Sequence, residues 1–399
     1  MTRLRIAILG AGPTGLEAAL AAAERGLPFT LYEQADHVAA HVRAWGHVRL
    51  FSPWSLDVSP RMRAALEAAG HDVPADDACP SGDELVERIF EPLAALPPIA
   101  PHLRLGTRVL SVGREGLLKH EQIGTEERAR RPFRLLLAAP DGDERIERAD
   151  VVLDCTGTYS QPNRLGDGGI PAPGESALEG RIVRSIPDVA AEAAAWAGRE
   201  ILLVGAGHSA QTAAVALAEL AAEHPGTRVH WALRRPAPSW EVDPADPLPE
   251  RAALVERARR TAEADDSAVE PIWEVVVEAL QPAGERVAVT LRGVDGSTRE
   301  LVVDRVLSLT GFVGDHSLYR QLQVHECYAT SGPMKLSAAL LGAGGDGGDC
   351  LDQESHGAET LVNPEPGFFL LGSKAYGRNN TFLMRVGWQQ VDEVLSLIG

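Results

Sequence analysis

Short unbroken apolar runs alternate along the chain with longer stretches in which alanine and leucine recur at helical spacing. The first run, Ile6-Ala7-Ile8-Leu9, enters Gly10-Ala11-Gly12-Pro13-Thr14-Gly15 and then an alanine-rich helix that should end near Arg25. A second run, Phe29-Thr30-Leu31-Tyr32, closes on Glu33. Strand signals follow near Arg108–Val112 and Arg134–Ala138, and the series ends in Val151-Val152-Leu153-Asp154-Cys155-Thr156-Gly157. Apolar runs of this length, without alternation, suit parallel strands covered on both faces.

The same succession then begins again. Ile201-Leu202-Leu203-Val204 enters Gly205-Ala206-Gly207-His208-Ser209-Ala210, a helix should run to about Glu223, and Arg228–Leu233 reads as the next strand. A hairpin around Val287–Leu291 and Leu301–Val303 precedes Val306-Leu307-Ser308-Leu309-Thr310-Gly311. After it, Phe368–Leu371 reads as a strand and Thr381 onward as a helix, so the chain should return to its first unit. The expected fold is α/β, with two Rossmann-like dinucleotide-binding domains and the second inserted in the first: residues 1–170, 171–311 and 312–399. The stretch from Pro236 to about Glu270 reads as a helical excursion, and Gly342–Asp349 as a glycine loop.

Each glycine of the first motif has a task. Gly10 allows the tight turn, Gly12 lets a diphosphate approach the backbone, and Gly15 lets helix and strand pack closely. The diphosphate then meets the helix N-terminus, where amides without partners and the helix dipole favour negative charge. Pro13 and Thr14 belong to the same turn. Glu33 follows Gly15 by about eighteen residues, where a carboxylate accepts hydrogen bonds from both ribose hydroxyls and would repel a 2′-phosphate. This site therefore suits FAD or NAD, and Gln34 and Val109 are further candidates for contact with it.

In the second motif Gly205 and Gly207 keep the first two tasks, while His208, Ser209 and Ala210 open the helix. The following strand ends in Arg234-Arg235, with no acid. Two guanidiniums there suit the 2′-phosphate of NADP, which they can grip in planar, bidentate fashion. One diol site and one 2′-phosphate site make the pair FAD and NADPH, the cofactors of a flavoprotein reduced by a nicotinamide.

A length of 399 residues calls for two domains, and a net charge of −18 argues against nucleic acid and anionic membrane as partners. With no apolar run long enough to span a bilayer and a glycine turn starting at residue 10, the cytoplasm is the expected compartment. Cys79, Cys155, Cys327 and Cys350 form no C-x-x-C and read as reduced thiols, with a Cys327–Cys350 pair left open. His37, His41 and His47 lack the carboxylate or thiolate that would complete a metal set, so no metal is expected.

These motifs, with a spacing of about 195 residues between them, resemble the single-component flavin monooxygenases over almost the whole chain. Cys79-Pro80-Ser81-Gly82 looks like the family's proline-serine segment, and Asp154–Pro162 and Thr310-Gly311-Phe312 look like its two T-G closures. The resemblance implies that Thr156 and Gly157 approach FAD and that Ser209 helps hold the nicotinamide diphosphate. It further implies that the reduced flavin adds dioxygen at C4a and oxygenates a nitrogen, a sulfur or a ketone of a small-molecule substrate. There are departures. Only Gly180 survives of the family's fingerprint, Leu178, Arg184 and Asp188 replacing its other positions; Ala39-Ala40 stands for a glycine pair. No asparagine occupies the segment from Arg49 to Trp54, whose Arg49 and Trp54 are the candidate catalytic residues. Phe51, Trp54, Tyr159 and Tyr376 are candidate pocket residues. Two other readings stay open, an NADPH-dependent flavoprotein reductase without oxygenation and a non-catalytic dinucleotide sensor, as does the oligomeric state, a homodimer included.

Overall fold

The computed structural model describes residues 4–235, 240, 248–342, 355–379 and 382–398. Its chain divides into two compact units, Met1–Gln161 with Val313–Gly399, and Pro162–Phe312. The first supplies strands β1 (Ile6–Leu9), β2 (Phe29–Tyr32), β3 (Leu103–Arg104), β4 (Arg108–Arg114), β5 (Phe133–Ala138), β6 (Glu144–Ala149) and β7 (Val151–Asp154). The second supplies β8 (Ile182–Val183), β9 (Glu200–Val204), β10 (Arg228–Leu233), β11 (Val269–Trp273), β12 (Val275–Ala283), β13 (Arg286–Gly293), β14 (Thr298–Val303) and β15 (Arg305–Ser308). β16 (Phe368–Leu370) returns to the first unit. The longer helices are α1 (Pro13–Glu24), α2 (His208–Glu223), α3 (Pro249–Glu263) and α4 (Met384–Ile398).

In the first unit a parallel sheet has the order β16-β7-β1-β2-β3, with β4-β5-β6 as a separate antiparallel sheet. Register aligns the carboxyl ends: Leu9 stands beside both Tyr32 and Asp154, and Asp154 beside Leu370. Both faces are covered, so Ile6, Ile8 and Leu9 keep at most 2% of their surface. Each such side chain contributes about 1.5–3 kcal/mol of burial. α1 closes on β1 because Gly15 has no Cβ; one placed there would lie 1.8 Å from the Gly10 carbonyl oxygen. α4 packs along α1. Arg61 ties the two helices, donating to Glu17 and Glu24 of α1 and to Asp392 of α4.

The second unit repeats the plan with parallel order β11-β10-β9-β15-β8 and an antiparallel sheet β12-β13-β14. Gly205 again admits the strand below, since a Cβ would meet the Leu309 carbonyl oxygen at 2.2 Å. Trp231, fully buried in β10, donates its indole N–H to the Gly205 carbonyl at 2.8 Å and fixes the turn.

Two details differ from the sequence reading. The units divide at residues 161/162 and 312/313, where the sequence put 170/171 and 311/312. Residues 162–170 belong with the insert because the buried Glu175 carboxylate accepts the Leu165 amide at 3.1 Å and the Ala172 amide at 2.8 Å. The hairpin of the second unit gains a third strand, β12, and β4 and β5 gain β6. The excursion after Pro236 contains α3, while residues 236–239 and 241–247, and all but Gly342 of the glycine loop, lie outside the described residues. Arg184, in the altered fingerprint, is a strut: it bonds Glu175 at 2.8 Å, Glu179 at 2.7 Å and the Ser308 hydroxyl at 3.2 Å.

Candidate functional site

At the carboxyl edge of the first sheet, Gly10 has φ +91°, and a Cβ there would crowd the Cys155 carbonyl oxygen at 2.8 Å. Gly12 faces open space, with nothing within 4 Å of where its Cβ would stand. It is also the extended N-cap of α1, with Pro13 next and no side chain capping the first turn. The orphan amides of that turn are thus left for an anion. Glu33 is 8% exposed; Oε2 accepts the Ala11 amide at 2.8 Å and Oε1 the Ala35 amide at 3.0 Å. A carboxylate has about four acceptor positions, so each oxygen keeps one for a ribose hydroxyl. A backbone cradle open at Gly12 and a fixed acid one strand away fit the adenosine diphosphate of FAD. Gln34 is exposed, and Val109 sits half-buried on β4 against the core.

On the other side of β1, Thr156 and Gly157 form a turn in which Gly157 takes φ +68° and Thr156 Cα stands 3.1 Å from the Gly10 Cβ position. The Thr156 amide and hydroxyl both donate to Asp154 Oδ1, at 3.1 and 2.6 Å. Beyond the turn, Tyr159 stacks on His41 and Trp45 with ring centroids 5.8 and 6.5 Å apart. Burial holds the His41 imidazole below its ordinary range, and the Glu33 carboxylate opposes that shift. His37 instead bonds Asp36 at 2.6 Å.

The candidate catalytic pair differs in exposure. Trp54 is 4% exposed in the core, with the Arg88 guanidinium 5.6 Å from its ring centroid. Arg49 is at the surface, donating to the Cys79 carbonyl and standing 3.6 Å from Glu84. Tyr376, a candidate pocket residue, is 1% exposed and packs edge-on against Phe382.

Sequence reasoning missed two contributors. Gly372 and Gly387 let their segments close on the glycine loop, each Cβ position lying 2.7 and 3.1 Å from Thr14 Oγ1, and Gln390 of α4 accepts the Gly372 amide at 2.8 Å. The second is a buried ion pair at the ends of β7 and β16, Lys374 Nζ to Asp154 Oδ2 at 2.6 Å. The charged residue in the apolar run Val151–Asp154, and the Gly-Ser-Lys after Phe368–Leu371, were its only signals.

In the second unit, Gly207 is the extended N-cap of α2 and has open space about it. Gly207, His208 and Ser209 are exposed there, whereas Ala210 is buried. Arg234 and Arg235 are exposed just past β10. Asp167 is held below its ordinary range chiefly by the Arg292 hydrogen bond, with Arg234 a smaller contributor.

Two glycine-turn dinucleotide folds, the second inserted in the first, define a two-nucleotide oxidoreductase. The chain belongs to the pyridine nucleotide-disulphide oxidoreductase family, whose profile matches residues 4–328. Among solved structures it is similar to bacillithiol disulfide reductase Bdr (YpdA) from Bacillus cereus, at 19% identity and TM-score 0.66, covering 99% of this chain and 98% of that one. It is also similar to the T. acidophilum thioredoxin reductase, at 15% identity and TM-score 0.60, covering 98% of each chain. A third is DfoA, the desferrioxamine-pathway cadaverine monooxygenase from Erwinia amylovora, at 13% identity and TM-score 0.64, covering 98% of this chain and 94% of that one. These likenesses establish the fold. The family and these neighbours are FAD- and NADPH-dependent oxidoreductases, reductases and monooxygenases alike. No curated protein sequence matches the chain.

Proposed function

We propose that the chain is an NADPH-dependent FAD monooxygenase acting on a nitrogen, sulfur or carbonyl centre of a small molecule. Bound FAD would supply the two-electron carrier between NADPH and dioxygen. Gly10, Gly12, Pro13, Thr14, Gly15 and Glu33 hold its adenosine diphosphate, with Gln34 and Val109 alongside, while Thr156 and Gly157 meet its other half. Gly205, Gly207, His208, Ser209 and Ala210 hold the NADPH diphosphate, and Arg234 and Arg235 its 2′-phosphate.

The observation that carries this reading is the state of Cys155. It is the cysteine at the glycine loop, its Cβ 3.6 Å from the Gly15 Cβ position, and burial pushes its thiol far above the ordinary range, with Asp154 adding to the effect. A thiol that stays protonated is neither a nucleophile nor a relay for disulfide exchange. Cys155 is therefore unsuited to disulfide exchange, and in this reading the electrons pass to dioxygen. The stack of His41, Trp45 and Tyr159 beyond Gly157 offers an aromatic wall that would exclude water from this side.

A balanced turnover consumes NADPH, a proton, dioxygen and substrate, and yields NADP, water and the oxygenated product. Measuring NADPH, oxygen and hydrogen peroxide with panels of amines, sulfides and ketones tests the reading. The expected result is one substrate class that suppresses peroxide release and gains one oxygen atom. If every NADPH consumed appears as peroxide whatever the panel, the reading fails. The second reading, a reductase acting on a disulfide or other small acceptor, draws on the family match; it predicts acceptor-dependent NADPH oxidation under strictly anaerobic conditions.

A further inference from the structure

Asp154 and Lys374 are both fully buried, at the carboxyl ends of β7 and β16. Burying an ion pair costs several kcal/mol per ion unless its geometry and remaining hydrogen bonds are good. Here they are. Lys374 Nζ donates to Asp154 Oδ2 at 2.6 Å and to Thr156 Oγ1 at 3.0 Å, and lies 5.1 Å from the Tyr319 ring centroid. Asp154 Oδ1 takes the Thr156 amide and hydroxyl. Gly314 seals the lysine stem, since a Cβ there would stand 2.7 Å from Lys374 Cγ. All this polar bonding converges on Thr156, a half-buried residue facing the carboxyl edge.

The order of the sheet says which part of the cofactor lies there. Glu33, at the end of β2, marks the ribose, and the loop after β1 marks the diphosphate. An extended FAD would therefore continue away from β2, past the carboxyl ends of β7 and β16, which Thr156, Gly157 and Lys374 follow. We propose that the Asp154–Lys374 pair positions the Thr156–Gly157 turn against the flavin half of FAD and tunes the flavin's redox potential. The inference rests on the FAD reading, and on no statement about the final electron acceptor. The pair acts as a neutral unit: the lysine favours the more negative reduced flavin, and the aspartate opposes it. Removing either partner exposes the flavin to the other's charge.

The test is the midpoint potential and FAD dissociation constant of the full chain, measured without substrate or oxygen. Lys374→Met should lower the potential and Asp154→Asn should raise it; the double variant should return near the unmodified value, while each single variant binds FAD several-fold more weakly. Thr156→Val keeps the ion pair but cuts its link to the turn, and should weaken FAD binding with little change in potential. A melting temperature that falls while potential and FAD affinity stay put makes the pair a structural strut and overturns the proposal. Where the single variants fail to fold, Thr156→Val decides: unchanged FAD affinity overturns it and weakened affinity supports it. An unmodified protein that binds no FAD overturns this inference and the cofactor reading together, whereas peroxide release alone touches only the oxygenase reading.

Discussion

Glu33 Oε2 accepts the Ala11 amide at 2.8 Å, so the acid that ends β2 is locked to the glycine loop that follows β1. The two halves of the proposed adenosine diphosphate site are thereby held in one piece before any ligand arrives. Preorganisation of this kind spares the ordering cost of binding.

Replacing Glu33 with alanine should therefore weaken FAD binding doubly, removing the ribose acceptor and loosening the loop. The expected loss is on the order of 1.5–3 kcal/mol, the range for hydrogen bonds to a charged group. Titration of apoprotein with FAD, followed by flavin fluorescence, measures it. An unchanged dissociation constant would remove Glu33 from the site.

Arg234→Ala and Arg235→Ala should each cost about 1–3 kcal/mol in NADPH binding, as for charge-assisted pairs, and leave NADH nearly unaffected. Both arginines are exposed, so the difference should shrink as salt rises. Anaerobic flavin reduction with each nucleotide reads it out. Equal loss for NADPH and NADH would mean that neither guanidinium reads the 2′-phosphate.

Asp57 is 2% exposed; among the described residues its partner is the Ser52 hydroxyl, at 2.6 Å, and Oδ2 has none. Burial raises its carboxyl to about 7, the Ser52 bond opposing. The folded chain thus holds a proton that the unfolded chain, with a pKa near 3.9, releases over the window from about pH 4 to 7. Its contribution is complete below that window and fades as pH rises through it. Asp57→Asn should match the unmodified protein at pH 4 and exceed it by a few kcal/mol at pH 8, as read by urea unfolding. Parallel pH profiles for the two proteins would contradict this.

Glu365 is buried between Arg114 and Arg128, 2.6 and 2.7 Å from their nearest nitrogens, and also accepts the Gln323 amide at 2.8 Å. Glu365→Ala leaves two buried guanidiniums without their counter-charge and should cost about 3–5 kcal/mol. Thermal unfolding would show it as a large fall in midpoint. A shift within error would mean that carbonyls, such as those of Leu118 and Glu121 at 3.1 and 3.0 Å from Arg128, suffice.

Much of this was legible in the chain because dinucleotide folds write their rules locally. Gly15 answers a steric demand at Gly10, five residues away, Gly10 turns the chain at φ +91°, and Glu33 sits at a fixed distance along one strand–helix–strand unit. The repeated signal at Gly205 made the second unit equally plain. What escaped depends on long-range pairing. β6 lacks strong apolar patterning, the Val275–Val277 run of β12 was passed over, and Lys374 meets Asp154 only because β16 returns beside β7 after the whole insert. Trp54 shows the limit of residue type as a signal: a large aromatic reads equally as a flavin neighbour or a core residue, and here it is buried beneath Arg88. Ala39 adopts φ +52° with no glycine to signal it, since its amide is held by the Ala11 carbonyl at 3.0 Å.

The junction of the insert has a consequence for how such a chain could arise and be re-engineered. Val313 donates its amide to the Gln161 carbonyl at 2.9 Å, and Asn163 donates to the Gly311 carbonyl at 2.9 Å. Each unit therefore brings its own two chain ends together. A host whose cut ends are already neighbours can be rejoined by a short loop at little entropic cost, and a guest with adjacent termini can be cloned out or exchanged as a cassette. The architecture is modular at the level of the gene: recombination at two codon positions would exchange the inserted unit while leaving the host's own chain ends joined in space.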